Sequence, residues 1–173
     1  MDLANMDYNE TMELALNPST PLDILRKLAK DENWVVRMRV ANNPNTPITI
    51  LRELTKDKVE SIKLSVALNP NTDNDTLREL VKTAHWGIRN SVAKNPTTSA
   101  NLLRDLIKNE DLWVRGSMAT SPESPCKLLI ALFEHEKSLK YPDSNVIKSL
   151  HRNPNLPLFA QRVIETLFGD MLR

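Results

Sequence analysis

The sequence contains a single cysteine, Cys126, so neither an internal disulfide nor an all-cysteine metal site can be built from it. Glycine is scarce, at three of 173 residues, and aromatics amount to 5%. That scarcity argues against sandwiches, barrels and the glycine-rich loops that cradle nucleotides. Neither sign of charge dominates: 23 Lys+Arg against 22 Asp+Glu leave a formal net charge of +1. A bulk-charge argument for nucleic acid or membrane therefore fails, while local patches stay open. No stretch approaches the roughly 18 apolar residues that span a bilayer. The opening residues, Met1-Asp2-Leu3-Ala4-Asn5, carry neither the basic start nor the apolar run of a signal peptide. A soluble protein in the reducing cytoplasm is the expectation, with no membrane partner. His85, His135 and His151 show no metal-ligand spacing, and no phosphate loop, nucleophile elbow or paired-carboxylate motif is present. No catalytic residue, cofactor or metal is expected, and the protein reads as a non-enzyme.

What the chain does have is a period. Pro18, Pro44, Pro70, Pro96 and Pro122 follow one another at intervals of 26 residues, and Pro154 comes 32 after the last. Asn precedes five of the six prolines, and Ser121 precedes the sixth. Three residues before the proline stand Ala15, Ala41, Ala67, Ala93 and Ala119. Leu25, Leu51, Leu77, Leu103 and Leu129 form a column after it, and Leu28, Leu54, Leu80, Leu106, Leu132 and Ile164 form another. A fixed period in this range is the signature of a solenoid whose repeats bury their apolar faces on each other.

Each repeat reads as two short helices. Asn-Pro ends one helix, because Pro cannot continue it and pushes the preceding residue toward extended geometry. Thr20, Thr46, Thr72, Thr98 and Ser124 stand where an N-cap would accept bonds from the next helix. Pro21, Pro47, Pro125 and Pro157 then fit the first helical position, and Asp23 and Asp75 the third. Helix A is expected from Pro21 to about Lys30, with Ile24, Leu25 and Leu28 as its apolar stripe. Helix B is expected from Trp34 to Asn42, burying Val36 and Val40. The alanine column marks the closest helix approach, where a larger side chain would overpack. The whole chain, 1–173, reads as one helical-repeat domain. Residues 1–17 form an N-terminal half-repeat, 18–121 four regular repeats, 122–153 a fifth with an insertion, and 154–173 a C-terminal capping helix. The insertion, 134–145, is expected as a longer loop or an extended helix end.

Ala41-Asn42-Asn43-Pro44-Asn45-Thr46-Pro47, continuing through Leu51-Arg52-Glu53-Leu54, resembles the variant leucine-rich repeat family. So do Ala67-Leu68-Asn69-Pro70-Asn71-Thr72 and Trp34-Val35-Val36-Arg37. The match covers almost the whole chain. The resemblance implies an all-α, right-handed superhelical solenoid with two alternating helical layers, one of them 3₁₀ in the type form. The repeats here are slightly longer and closer to HEAT-like pairs, which leaves that layer open between 3₁₀ and α. An iron–sulphur segment accompanies the repeats in one member of the family, but no cysteine lies near this N-terminus, so that cofactor is not carried over.

Two readings of function stand. The first is a protein-binding scaffold that presents an extended helical surface. The second is nucleic-acid backbone binding through a basic stripe. Arg26 and Lys30, Arg52 and Lys56, Arg78 and Lys82, and Arg104 and Lys108 recur four residues apart, on one face of each helix A. The plainer account of that stripe is an exposed mixed-charge face, with Asp23, Glu53, Asp75, Glu79 and Asp105 three residues before the cations. In the fifth repeat the positions are Ile130 and Glu134, so the stripe stops there. A second basic column, Arg37, Lys63, Arg89 and Arg115, resembles the aspartate–arginine ladder of HEAT repeats. Asp31 and Asp57 precede its first two members by six residues, whereas Thr83 and Asn109 leave Arg89 and Arg115 less obviously paired. Those two arginines therefore join the candidate binding residues.

Trp34, Trp86 and Trp113 open helix B in three repeats. They read as fillers of the A–B corner, or as a base-stacking surface like that of HEAT-like DNA glycosylases, which match in architecture only. Glu134, His135 and Glu136 read as a solvated loop, and Cys126 as a small buried hydrophobe. In the terminal helix, apolar residues around Phe168, Met171 and Leu172 exceed what one buried face needs. Simple end-capping and self-association both account for them.

Overall fold

The structure is a computed structural model that describes residues 6–82, 85–109 and 112–173. Among the described residues it holds twelve α-helices and no strand, so the chain is all-α. The helices are α1 (Tyr8–Leu16), α2 (Leu22–Leu28), α3 (Trp34–Asn42), α4 (Ile48–Leu54), α5 (Glu60–Leu68) and α6 (Asn74–Val81). There follow α7 (Trp86–Lys94), α8 (Ala100–Asn109), α9 (Leu112–Thr120), α10 (Cys126–Ser138), α11 (Ser144–Arg152) and α12 (Leu158–Leu172). Odd-numbered helices run into the Asn-Pro or Ser-Pro step and even-numbered ones follow it. The layer left open between 3₁₀ and α is α-helical.

The Asn-Pro step does more than stop a helix. Asn43 caps α3 in extended geometry (φ −67°, ψ 121°) and is fully buried, so its polar atoms must find partners inside the protein. Its Oδ1 accepts from the Asn45 N–H at 2.9 Å, while its Nδ2 donates to the carbonyls of Ala15 (3.0 Å) and Asn17 (2.8 Å). Asn69 repeats this on Asn71, Ala41 and Asn43, and Asn95 on Thr97, Ala67 and Asn69. Asn153 does the same on Asn155, Ala119 and Ser121. Each amide thus folds its own turn and ties it to the end of an earlier helix.

Two expectations about the turn are corrected. Thr20, Thr46, Thr72 and Ser124 do not cap the following helix. They are buried, and each hydroxyl donates backward to the carbonyl six residues earlier, on Leu14, Val40, Val66 and Met118. With the hydroxyl spent there, the cap moves one residue on. Pro21, Pro47, Pro125 and Pro157 are themselves the N-caps, with ψ between 142° and 149°, and the even-numbered helices begin at the next residue. In α6 the cap is Asp73, whose Oδ1 accepts from the Thr76 N–H at 2.9 Å. Asp23 and Asp75 consequently lie at the second helical position rather than the third.

The helices fall into two compact units, Met1–Thr97 and Thr98–Arg173. In the first, α1, α3, α5 and α7 pack in succession, and α2, α4 and α6 lean on them. Ile24, Leu25 and Leu28 are buried on α2, and Ile50, Leu51 and Leu54 on α4. They face Val36 and Val40 of α3 and Ile62 and Val66 of α5. Each fully buried aliphatic of this kind contributes roughly 1.5–3 kcal/mol of transfer free energy. Ala15, Ala41, Ala67 and Ala93 have no exposed surface, as a close-approach column requires.

In the second unit, α8 packs on α10, α9 on α10 and α11, and α11 on both α10 and α12. The 134–145 insertion takes the helical form. It lengthens α10 to 13 residues, and a short loop then leads to Asp143, the N-cap of α11. Helix α12 covers α11 with Ala160 and Ile164 and is interrupted at Phe168 (φ −129°, ψ 20°).

Candidate binding surface

The eight cations of the stripe are all exposed. Only Arg104 and Lys108 lie within one helix, α8. Lys30 and Lys56 fall in the turns that close α2 and α4, and Lys82 is the C-cap of α6. Of the expected pairs three residues apart, Glu79–Lys82 forms, at 2.6 Å. Arg52 instead reaches the next repeat, pairing with the Asp73 carboxylate and donating to Thr76 Oγ1 at 3.3 Å. Arg104 donates to Asn101 Oδ1 at 3.1 Å. Arg26, Lys30, Lys56, Arg78 and Lys108 make no ion pair among the described residues. Between α4 and α6 the surface dips into a shallow cavity of about 340 Å³, where Arg52 and Lys56 meet Glu53, Asp75 and Glu79. Charge there is mixed, as the plainer account of the stripe anticipates.

The second basic column turns inward. Arg37 grips Asp57, 20 residues on, through Nε–Oδ2 at 2.7 Å and Nη2–Oδ1 at 3.2 Å. Its Nη1 donates to the carbonyls of Asp31 (2.7 Å) and Glu32 (3.0 Å). The Arg37 hydrogen bond holds the Asp57 carboxyl below the usual carboxylate range against the opposing effect of burial. Arg115 repeats the arrangement with an acid that sequence alignment of the repeats does not offer. Its Nε donates to Glu136 Oε1 at 2.9 Å, 21 residues on, and Glu136 Oε2 accepts the Asp143 N–H at 3.0 Å. Glu136 is 0% exposed. This corrects two expectations: Glu136 is not part of a solvated loop, and Arg115 is firmly paired. Arg89 is half-buried and not free. Thr83 lies outside the described residues, as does the side chain of Asn109.

A concavity of about 530 Å³ lies between α8 and α10. Leu103, Ile107, Ile130 and Ala131 line it with aliphatic carbon. Its origin is visible in the repeat. Where earlier repeats read Leu-Arg-Glu-Leu (51–54 and 77–80) or Leu-Arg-Asp-Leu (103–106), α10 reads Leu129-Ile130-Ala131-Leu132. An outward-facing charged pair has become an apolar one, which opens an apolar trough beside α8. Arg104 and Lys108 border it on α8, and Glu134 and His135 on α10. Burial, with Arg115 adding to it, lowers the His135 pKa and favours the neutral ring. Lys127 sits at the other end. Its Nζ donates to the Thr98 carbonyl at 2.7 Å, and burial lowers its pKa as well.

Other singled-out residues take different places. Trp34 and Trp86 do not fill a buried corner; they stay 44% and 43% exposed, because a first helical residue points off the packed face. Trp86 stacks with His85 at 6.3 Å between ring centroids. The Trp113 side chain lies outside the described residues. His85 meets Glu60 at 3.2 Å, and His151 meets Glu165 at 3.0 Å. Cys126 is exposed rather than buried, since its column, shared with Leu22 and Leu158, is the outward first position of the helix. On α12 the exposed apolar residues are Leu158, Phe159 and Leu167, while Phe168, Met171 and Leu172 are half-buried.

Among the described residues no group of His, Cys, Asp and Glu is arranged to hold a metal ion. Nor is any helix there long and apolar enough to cross a membrane. No protein-family model matches the chain, and no curated protein or solved structure matches it either.

Proposed function

We propose that the protein is a non-enzymatic, cytoplasmic protein-binding scaffold, built as one right-handed solenoid of two-helix repeats similar to variant leucine-rich and HEAT repeats. The observation that carries this reading is the aliphatic trough between α8 and α10, where one repeat trades an outward Arg-Glu type pair for Ile130-Ala131. An apolar exception in an otherwise charged column exposes carbon to water at a cost, which a partner's apolar surface offsets. The amide ladder supports a rigid frame for such a surface. The test is capture from a nuclease-treated lysate with the full chain immobilised. A defined protein partner is expected; recovery of nothing, or of nucleic acid alone from an untreated lysate, would overturn the reading.

A second reading has its own observation. Arg26, Lys30, Lys56 and Arg78 are exposed cations with no ion pair among the described residues. A backbone-tracking site made of them would bind an oligonucleotide with an affinity that falls steeply as salt rises. Arg26→Glu combined with Arg78→Glu should then abolish binding while the melting temperature holds. Binding that survives the double change removes this reading.

A further inference from the structure

We propose that the α8–α10 trough seats a short amphipathic segment of a protein partner, its apolar face on Leu103, Ile107, Ile130 and Ala131 and its acidic flank against Arg104 and Lys108. The inference rests on the scaffold reading and gives that scaffold's partner a chemistry.

Three features of the trough select the occupant. The surface it exposes is mostly aliphatic, with the charged groups at its borders, which suits Leu- or Ile-type anchors better than a heteroatom-rich small molecule. Its length suits a peptide: Ala100 to Lys108 on α8 spans about 12 Å at 1.5 Å per residue, roughly two turns of a docked helix. That is the reach of the i, i+3, i+4, i+7 anchors of a helix in a groove. Its charge is uneven, with two of its three cations on α8. On the α8 border Lys108 has no ion pair among the described residues, and Arg104 holds only the neutral Asn101 amide. On the α10 border Glu134 is held by Lys137 at 3.5 Å and His135 tends to the neutral form. A partner carboxylate is therefore attracted to the α8 side more than to the Glu134–His135 edge of α10, whose cation, Lys127, lies at the other end of the trough on the Thr98 carbonyl.

The same layout disfavours a nucleic acid here. The lining offers no Trp, Tyr or Phe for base stacking, and the Lys127 ammonium is already engaged by the Thr98 carbonyl.

The test measures fluorescence anisotropy of the full-length protein with synthetic helical peptides. The probe carries leucine at i, i+3, i+4 and i+7 with glutamate along one flank. A second peptide replaces the glutamates by lysine, and a third replaces the leucines by serine. Further arms are a single-stranded oligonucleotide and a peptide copying Leu158–Leu172. The glutamate probe should bind at least about tenfold more tightly than the lysine version. The serine version should not bind. Arg104→Glu with Lys108→Glu lies on an exposed surface that folding does not need, and it should invert the charge preference. Ile130→Glu should abolish binding of the glutamate probe.

Equal affinity for the acidic and basic peptides overturns the proposal, as does a preference that the double reversal leaves unmoved. Tighter binding of the oligonucleotide, or of the Leu158–Leu172 copy, overturns it too and assigns the trough to nucleic acid or to a second copy of the chain. The scaffold reading fails separately. If a captured lysate partner still binds the Ile130→Glu protein, the scaffold stands and this trough is not its seat.

Discussion

A buried asparagine amide has two donors and an acceptor, and at Asn69 all are spent. Nδ2 serves the carbonyls of Ala41 and Asn43, and Oδ1 holds the Asn71 N–H. Asn69→Ala should therefore take the Asn69 partner from the Ala41 carbonyl and the Asn71 N–H, while the Asn43 carbonyl keeps the Thr46 N–H, at a cost of about 2–4 kcal/mol by the usual penalty for orphaned buried groups. Asn69→Asp keeps the acceptor for the turn but sets a carboxylate against two carbonyl oxygens, and it should cost at least as much. Urea melts of the two variants check this; an Asp variant as stable as the native protein would contradict the donor role. The periodicity made Asn legible as a helix terminator. Its bond across to an earlier turn was not legible, because helix-ending propensity is local whereas the carbonyl it meets is 26 to 28 residues away. The threonine hydroxyl was misread for a related reason. Sequence places it beside the free N–H groups of the next helix, while the fold brings a carbonyl of the preceding helix closer.

At the scale of elements, the insertion and the ladder of charges explain each other. Arg37 finds its acid 20 residues ahead and Arg115 finds one 21 ahead, because α10 is longer and its end is shifted. The six-residue spacing points back from Arg115 to Asn109, whereas its acid lies ahead of it in the chain. Glu136→Ala should remove the carboxylate from a nearly buried guanidinium and from the Asp143 N–H at the start of α11, costing about 3–5 kcal/mol, in the range for breaking a buried pair. Glu134→Ala, two residues away and in an exposed pair with Lys137, should cost no more than about 1 kcal/mol. Denaturation midpoints that fail to separate the two would show that Glu136 does not hold α10 to α11. Boundaries of the odd-numbered helices could be read directly: Trp34–Asn42 was expected and is found. The even-numbered helices start later than expected, because the proline caps rather than opens them. The trough was half legible. Ile130 and Glu134 marked where the stripe stops, but the volume between α8 and α10 depends on side-chain size at facing positions.

At the scale of the whole molecule, each unit is a row of neighbours, and stability should follow position in the row. In the first unit α1 packs on α3 alone among the odd-numbered helices, whereas α3 packs on α1 and α5, and α5 on α3 and α7. In the second, α11 touches α9, α10 and α12. Native-state hydrogen exchange should thus find the amides of α3, α5 and α11 the slowest and those of α1 among the fastest, since local opening is easiest where fewest contacts are broken. Exchange in α1 as slow as in α5 would show that neighbour packing does not set the order. Net charge, which excluded a bulk electrostatic role, says nothing about this ranking. The alternation of buried columns does.

The proline after each ladder asparagine has a consequence for how the molecule ages. Asparagine deamidates when the nitrogen of the following residue attacks the side-chain amide and closes a succinimide ring. Proline has no N–H to lose and cannot make that attack. Asn43, Asn69, Asn95 and Asn153, whose conversion to aspartate would turn a donor into a repelling charge, are each followed by proline. Asn45 and Asn71, in the same turns but at the exposed edge, are followed by threonine and lack that protection. Chemical wear in an old molecule therefore falls on the outer asparagines and spares the inner row that holds the helices together.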